Sequence, residues 1–331
     1  MQNSRLTLGL SNQIIQLPDT GRIAVFRPRA GVDLSALPKD RVHVVQGFWP
    51  DHRVFTNAGF DTGVTVDGEY GSAIVILPRA KAEARALIAL ATRNVNGGLV
   101  VVDGQKTDGI DSVYKDCRKQ GANVSAAYSK SHGKLFSMTG GDFSDWEAER
   151  NENQLEGGFI TVPGIFSADG IDRGSAVLAD ALPEQLSGQF ADLGAGWGFL
   201  SHHILQRADI SQCHLIEADH SALECARRNV TDPRAVFHWG DAKQTELATA
   251  MDGVVMNPPF HTGRVGEPAL GQAFIGAAAG LLKPKGRLWL VANRHLPYEA
   301  ALSDAFGEVS ECAGDRSFKV FVASKPRRGA R

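Results

Sequence analysis

The sequence predicts an α/β protein built from two doubly wound, Rossmann-type sheets in tandem. Three observations predict it. Short β-rich runs alternate with Ala- and Leu-rich helical patterns through both halves of the chain. A G-x-G-x-G turn stands directly after one such run, in the second half only. The length, 331 residues, is about twice that of an ordinary domain.

In order along the first half, residues 22–27, 42–48, 72–77, 99–103 and 134–138 read as strands. Between them, 78–92 (PRAKAEARALIALAT) and 109–120 carry apolar positions at helical spacing, the second ending at Gly121. This alternation predicts a parallel sheet. The polar stretch 140–158 (GGDFSDWEAERNENQLEGG) reads as a boundary between domains 1–150 and 151–331. Beyond it the strands are 189–193, 212–217, 235–238, 253–256, 286–292 and 318–323, and the helices 199–207, 221–229 and 269–282. In such an order ligands sit beyond the carboxyl ends of the strands.

The composition, 43% hydrophobic and 22% charged, is that of a chain that folds. No basic-then-apolar leader opens the sequence and no apolar run approaches a bilayer span, so a cytoplasmic protein without membrane contact is expected. The cysteines Cys117, Cys213, Cys225 and Cys312 are far apart and read as reduced packing residues. His202, His203, His214, His238 and His261 form no ligand spacing, so no metal is expected; His261 is a candidate for substrate contact. Residues 1–150 carry 18 Lys and Arg against 16 Asp and Glu, and residues 151–331 carry 17 against 21, placing the weakly positive surface on the first half.

The first chemical motif is Asp192, Gly194, Ala195, Gly196 and Gly198 around Leu193 and Trp197. Its glycines allow a tight turn and close approach of a ligand to the main chain. Asp192 is a candidate for the ammonium of an amino-acid cofactor, and Glu217, followed by Ala218 after the next strand, for ribose hydroxyls. Asp241 and Ala242 follow the third strand, where a carboxylate can accept from an adenine amino group and an apolar neighbour can cover the ring. The second motif is Asn257-Pro258-Pro259-Phe260. Prolines stiffen the turn, so the Asn257 side-chain oxygen and the Pro258 carbonyl can act as fixed acceptors for the hydrogens of a planar amino group, with Phe260 as a stacking face. Such a grip favours a pyramidal nitrogen aimed at a sulfonium methyl. Upstream, residues 157–167 read as a loop over the cofactor with Phe166 as its lid, and Gly170, Asp172 and Gly174 as residues that position it.

At these residues the chain resembles the bacterial ribosomal RNA guanine-N2 methyltransferases, above all the small-subunit enzymes and then their large-subunit relatives. The most specific stretches are FITVPGIFSADGIDRGS from Phe159, DLGAGWGFLS from Asp192, NPPFHTGR from Asn257 and LWLVANRHLPYEAAL from Leu288, with Phe318-Lys319-Val320 like the family's ending. The resemblance implies two methyltransferase-like domains. The N-terminal copy is degenerate, serving RNA recognition and supporting the fold of the second; the C-terminal copy is catalytic. It implies S-adenosylmethionine as cofactor and ribosomal RNA or an assembling ribosomal subunit as partner, with a monomer as the default state. Position by position it assigns Gly194, Gly196 and Glu217 to the cofactor, and Asn257 with Phe260 to the target base. The first half carries neither motif, and residues 97–104 (GGLVVVDG) look like a remnant strand and turn. Trp197 departs from the smaller residue usual between these glycines. Other readings are methylation of adenine N6 or protein glutamine, which share N-P-P-[FY], and a non-catalytic RNA-binding assembly factor.

Overall fold

A computed structural model describes residues 4–149, 151–259 and 268–327, and the backbone alone of 261, 262, 265 and 266. The chain divides into two compact units, Met1–Glu152 with Val162–Gly164, and Asn153–Thr161 with Ile165–Arg331.

In the first unit the strands are β1 (Ile23–Phe26), β2 (Val42–Val45), β3 (Asp61–Gly63), β4 (Ser72–Ile76), β5 (Leu99–Gln105), β6 (Asn123–Val124), β7 (Tyr128–Lys130) and β8 (Gly133–Thr139). They form one sheet in the order β3-β2-β1-β4-β5-β8-β6, with β7 also on β8. The runs IAVF, VHVV and SAIVI are buried along their whole length, as strands covered on both faces must be. Helices α1 (Arg5–Ser11), α2 (Trp49–Asn57), α3 (Lys81–Asn94), α4 (Ile110–Lys119) and α5 (Ser144–Ala148) complete the unit. The expectation of a parallel sheet holds for β1 to β5 but not for β6, β7 and β8, which are antiparallel. The polar stretch after residue 140 is not all linker. It holds α5, whose Trp146 is buried in this unit's core beside Phe143.

The second unit opens with the short antiparallel pair β9 (Asn153–Gln154) and β10 (Ile160–Thr161) and helix α6 (Arg173–Ala181). Its sheet contains β11 (Gly188–Leu193), β12 (Ile210–Glu217), β13 (Ala235–Trp239) and β14 (Met251–Met256), followed by β17 (Leu282–Asn293), β18 (Phe306–Gly314) and β19 (Phe318–Pro326). A two-stranded pair, β15 (His261–Thr262) with β16 (Val265–Gly266), lies between β14 and helix α9 (Pro268–Leu281). The remaining helices are α7 (Phe199–Leu205), α8 (His220–Asn229) and α10 (Glu299–Ala305). The order β13-β12-β11-β14-β17-β19-β18 repeats that of the first unit, parallel as far as β17 and antiparallel beyond.

The two sheets share their strand order, and the hydrogen bonds at the ends of their central strands correspond. Arg27 N donates to Val45 O in one, and Gly194 N to Ile216 O in the other. Arg27, at φ 50°, thus stands where Gly194 stands and is ion-paired with Glu83. Gln46 stands where Glu217 stands; it donates to Pro28 O and accepts from Phe48 N, closing on its own loop. Ile76-Leu77-Pro78-Arg79 occupies the place of the Asn257 turn. In the first copy the glycine bend and the acid are thus replaced by Arg27, paired with Glu83, and by Gln46, bonded to the backbone of its own loop. Residues 97–104 are not the counterpart of the glycine turn: they enter β5, which corresponds to β17.

Candidate functional site

At the carboxyl end of the second sheet a cleft is lined by Phe166, Ser167, Asp172 and Ser175, by the bend 194–197 with Phe199 and Leu200, and by Asn257. The bend is built from backbone requirements. Gly194 and Gly196 have φ of 75° and 57°, in the left-handed region that favours glycine. Gly194 N and Ala195 N both donate to Ile216 O, at 2.9 and 3.1 Å, fixing the bend to β12. A Cβ on Gly196 would meet nothing within 4 Å, so this glycine faces open space. Gly198 serves packing, because a Cβ there would lie 2.8 Å from Val230 Cγ2. Trp197 is buried against Phe159 and Phe199, at 5.1 and 5.6 Å between ring centroids. Asn229 donates to the carbonyls of Trp197 and Ile160, tying the bend to β10.

Glu217, at the end of β12, accepts from Gly196 N through Oε2 and from Asp219 N through Oε1, both at 2.7 Å. Some of its surface stays accessible, yet it lies deep enough that burial pushes its carboxyl up to about 7. With one backbone donor on each oxygen the carboxylate keeps lone pairs free, and beside an open glycine bend it suits a ligand that brings hydroxyl donors.

Asn257 follows β14. Its Nδ2 donates to Asp172 Oδ2 at 2.8 Å and to Ser175 Oγ at 2.9 Å. A carboxylate can only accept, so this contact decides which end of the amide is nitrogen. Nδ2 thus has two acceptors, and among the described residues Oδ1 accepts no hydrogen bond. Asp172 is itself held as the N-cap of α6, accepting from Ser175 N at 2.8 Å. Pro258 is buried behind the amide.

Other expected site residues stand elsewhere. Asp192 has no exposed surface and accepts from Ser201 Oγ at 2.7 Å, with Oδ1 unpartnered and burial pushing it up to about 7. It does not line the cleft. Asp241 is turned onto its own segment, accepting from Lys243 N at 3.0 Å and pairing with Lys243 Nζ at 3.3 Å. Ala242 belongs to the hydrophobic core, and Ala218 O accepts from Trp239 Nε1 at 2.9 Å. Of the expected covering loop, Phe159, Thr161 and Ile165 are buried, whereas Phe166 is 58% exposed. Phe260 and the side chain of His261 lie outside the described residues. His214 and His238 bond to each other at 2.9 Å. Ser175 was not singled out from the sequence; the Asp-x-x-Ser start of α6, an N-cap pattern, was the available signal.

The chain matches the methyltransferase small domain family over residues 156–322. A protein named ribosomal RNA small subunit methyltransferase C from Shewanella amazonensis is 30% identical over 275 residues, covering 78% of this chain and 79% of that one. Its namesake from Hahella chejuensis is 26% identical over 322 residues, 92% of each chain. Among solved structures, a T. thermophilus 16S rRNA N2 methyltransferase in complex with AdoMet and guanosine has a TM-score of 0.79 at 23% identity, covering 98% of this chain and 93% of that one. That likeness extends the shared fold over both units, with the methyltransferase small domain in the second. The chain belongs to the ribosomal RNA small subunit methyltransferase C family.

Proposed function

We propose that this protein transfers a methyl group from S-adenosylmethionine to the exocyclic N2 amino group of a guanine in small-subunit ribosomal RNA. The observation that carries the reading is the Asn257 amide, locked by Asp172 and Ser175 with its oxygen free at the edge of the glycine bend. The cleft's chemistry fits the cofactor. Gly194 and Gly196 admit a ligand against the main chain, and Glu217 meets its ribose hydroxyls. Asp192 acts from behind, anchoring β11 to Ser201 of α7 rather than touching the ligand.

S-adenosylmethionine supplies an electrophilic methyl on a positively charged sulfur. The chain's own task is to prepare the nucleophile. Guanine N2 is a weak one because its lone pair is delocalised into the ring. Asn257 Oδ1 and the Pro258 carbonyl accept hydrogen bonds from its two N–H groups, drawing the nitrogen out of plane and aiming its lone pair across the bend; as the N–C bond forms the methyl–sulfur bond breaks to leave a neutral thioether, and the surplus N2 proton passes to solvent. Phe260 stacks on the extruded base, and Phe166 closes over the cleft and excludes water. The first unit, having lost both motifs, serves RNA recognition and supports the second. The protein works as a cytoplasmic monomer.

The test is in vitro methylation of small-subunit rRNA with labelled S-adenosylmethionine, followed by digestion and mass spectrometry of the nucleosides. Label in N2-methylguanosine, absent with Asn257→Ala, is the expected result. Label in N6-methyladenosine, or in protein glutamine, would replace the proposed acceptor.

A further inference from the structure

The first unit has its own groove, at the carboxyl end of β5, lined by Lys106, Asp111, Lys130, Ser131, His132 and Lys134. Doubly wound sheets take ligands at this end. The position matches a place near the catalytic cleft of the second unit, since Lys106 N donates to His132 O as Arg294 N donates to Ser317 O, both at 2.9 Å.

The groove is cationic. Among the described residues Lys106 and Lys130 have no carboxylate within ion-pair distance; Lys134 is paired with Asp111 at 2.5 Å. The Lys134 contact, helped by Lys106 and Lys115, holds the Asp111 carboxyl below its ordinary range. Three lysines of the lining, Lys106, Lys130 and Lys134, thus stand against one lining acid, Asp111, and nearby Asp108 accepts from Gln105 N at 3.4 Å. Asp103 lies beneath, paired with the buried Arg5.

The groove's wall is also held in a conformation its residues resist. Ser131 and His132 form the two-residue turn joining β7 to β8, with φ of 48° and 57°. That combination favours Asn-Gly, and neither is present. The turn is fixed from below. Lys106 N reaches His132 O, and the Gln105 amide, with its nitrogen facing the turn, reaches Ser131 O at 2.9 Å and His132 O at 3.1 Å. Arg5 Nη1 donates to Lys130 O at 2.7 Å. Gly133 leaves room for that guanidinium, since a Cβ would lie 2.2 Å from Arg5 Nη1. Ser131 and His132 are exposed and line the groove. Strained turns kept in place by their surroundings cluster where ligands bind.

We propose that this groove binds the phosphate backbone of the RNA whose guanine the second unit methylates, an inference that rests on the function proposed above. Lysine ammoniums as point charges, with a hydroxyl and an imidazole as donors, match phosphate oxygens. The lining offers no Phe, Tyr or Trp for base stacking, so the contact fixes position rather than sequence.

The experiment uses the full chain and a small-subunit rRNA transcript. Binding is measured across a salt series for wild type and Lys106→Gln/Lys130→Gln, alongside calorimetry with S-adenosylmethionine and a methylation assay of the wild type. Losing two phosphate contacts should weaken RNA binding about 20-fold near physiological salt and flatten the log–log salt slope by about 1.6. Cofactor affinity, read on the other unit, should stay unchanged, showing an intact fold. Unchanged RNA affinity and slope in the variant of an active wild type would overturn the groove alone. A wild type that binds cofactor but methylates no guanine would overturn the function and the groove's role with it.

Discussion

Replacing Asp172 separates the two jobs this carboxylate performs. It caps α6 through Ser175 N at 2.8 Å, and it orients the Asn257 amide, the proposed grip on the target base, through Nδ2 at 2.8 Å. Losing the cap costs about 1 kcal/mol of stability. Losing a hydrogen bond to a charged partner costs about 2 kcal/mol. Asp172→Ala should therefore be destabilised by about 3 kcal/mol in denaturant titrations. Ser175 alone cannot tell the two ends of the amide apart, because a hydroxyl can donate as well as accept. Without Asp172 the productive pose loses about 2 kcal/mol of preference, and kcat should fall about 30-fold. Asp172→Asn keeps the cap and a neutral acceptor, so stability should return to within about 1 kcal/mol of wild type and most of kcat should be rescued. The assay is single-turnover methyl transfer to rRNA, with cofactor affinity measured by calorimetry and expected to be unchanged in both variants. A stable wild-type kcat in Asp172→Ala, with only the unfolding midpoint lowered, would refute the positioning role and leave a helix cap.

The remaining predictions concern the bend and its acid. Burial raises the Glu217 carboxyl from its ordinary 4.5 to about 7, so between those values the unliganded fold holds a proton that the unfolded chain releases. Its contribution to stability is present at low pH and lost as pH rises toward 7, a trend shared with Asp192. Ribose hydroxyls donate to the ionised form, so S-adenosylmethionine should bind more tightly as pH rises from 6 to 7 and level off above. Glu217→Gln should bind weakly without that slope, and a flat wild-type affinity over the same range would contradict the assignment. Gly196→Ala should fold at a cost of about 1 kcal/mol, since only its φ is strained, yet lose cofactor binding. Gly198→Ala should cost more in thermal stability, because its Cβ also meets Val230 and Ala226.

Both motifs at the cleft were legible because their chemistry is local. A glycine bend after an apolar strand and a proline-braced Asn need only neighbouring residues to state their geometry. Asp172 meets Asn257 from 85 positions away, and nothing in either segment announces the contact. The direction of β8 and β19 was equally hidden, since an apolar run reads the same parallel or antiparallel. Helix α1 is hard to read from the sequence because it has only seven residues and includes Gly9, and β3 because Asp-Thr-Gly has no β-branched run. Asp192 misled for a simple reason. Its nearness to the glycines along the chain suggested contact with a ligand, whereas its side chain is directed to Ser201 inside the fold. The loss of function in the first copy was visible only as missing motifs; the structure supplies their replacements, Arg27 with Glu83 and the self-satisfied Gln46.

The most direct test of the account is a crystal structure with S-adenosylhomocysteine and guanosine bound. Asn257 Oδ1 should lie about 3 Å from guanine N2, with Nδ2 still on Asp172 and the sulfur on the far side of that nitrogen. A guanine seated with N2 away from Asn257, or an amide turned to present its nitrogen, would contradict it.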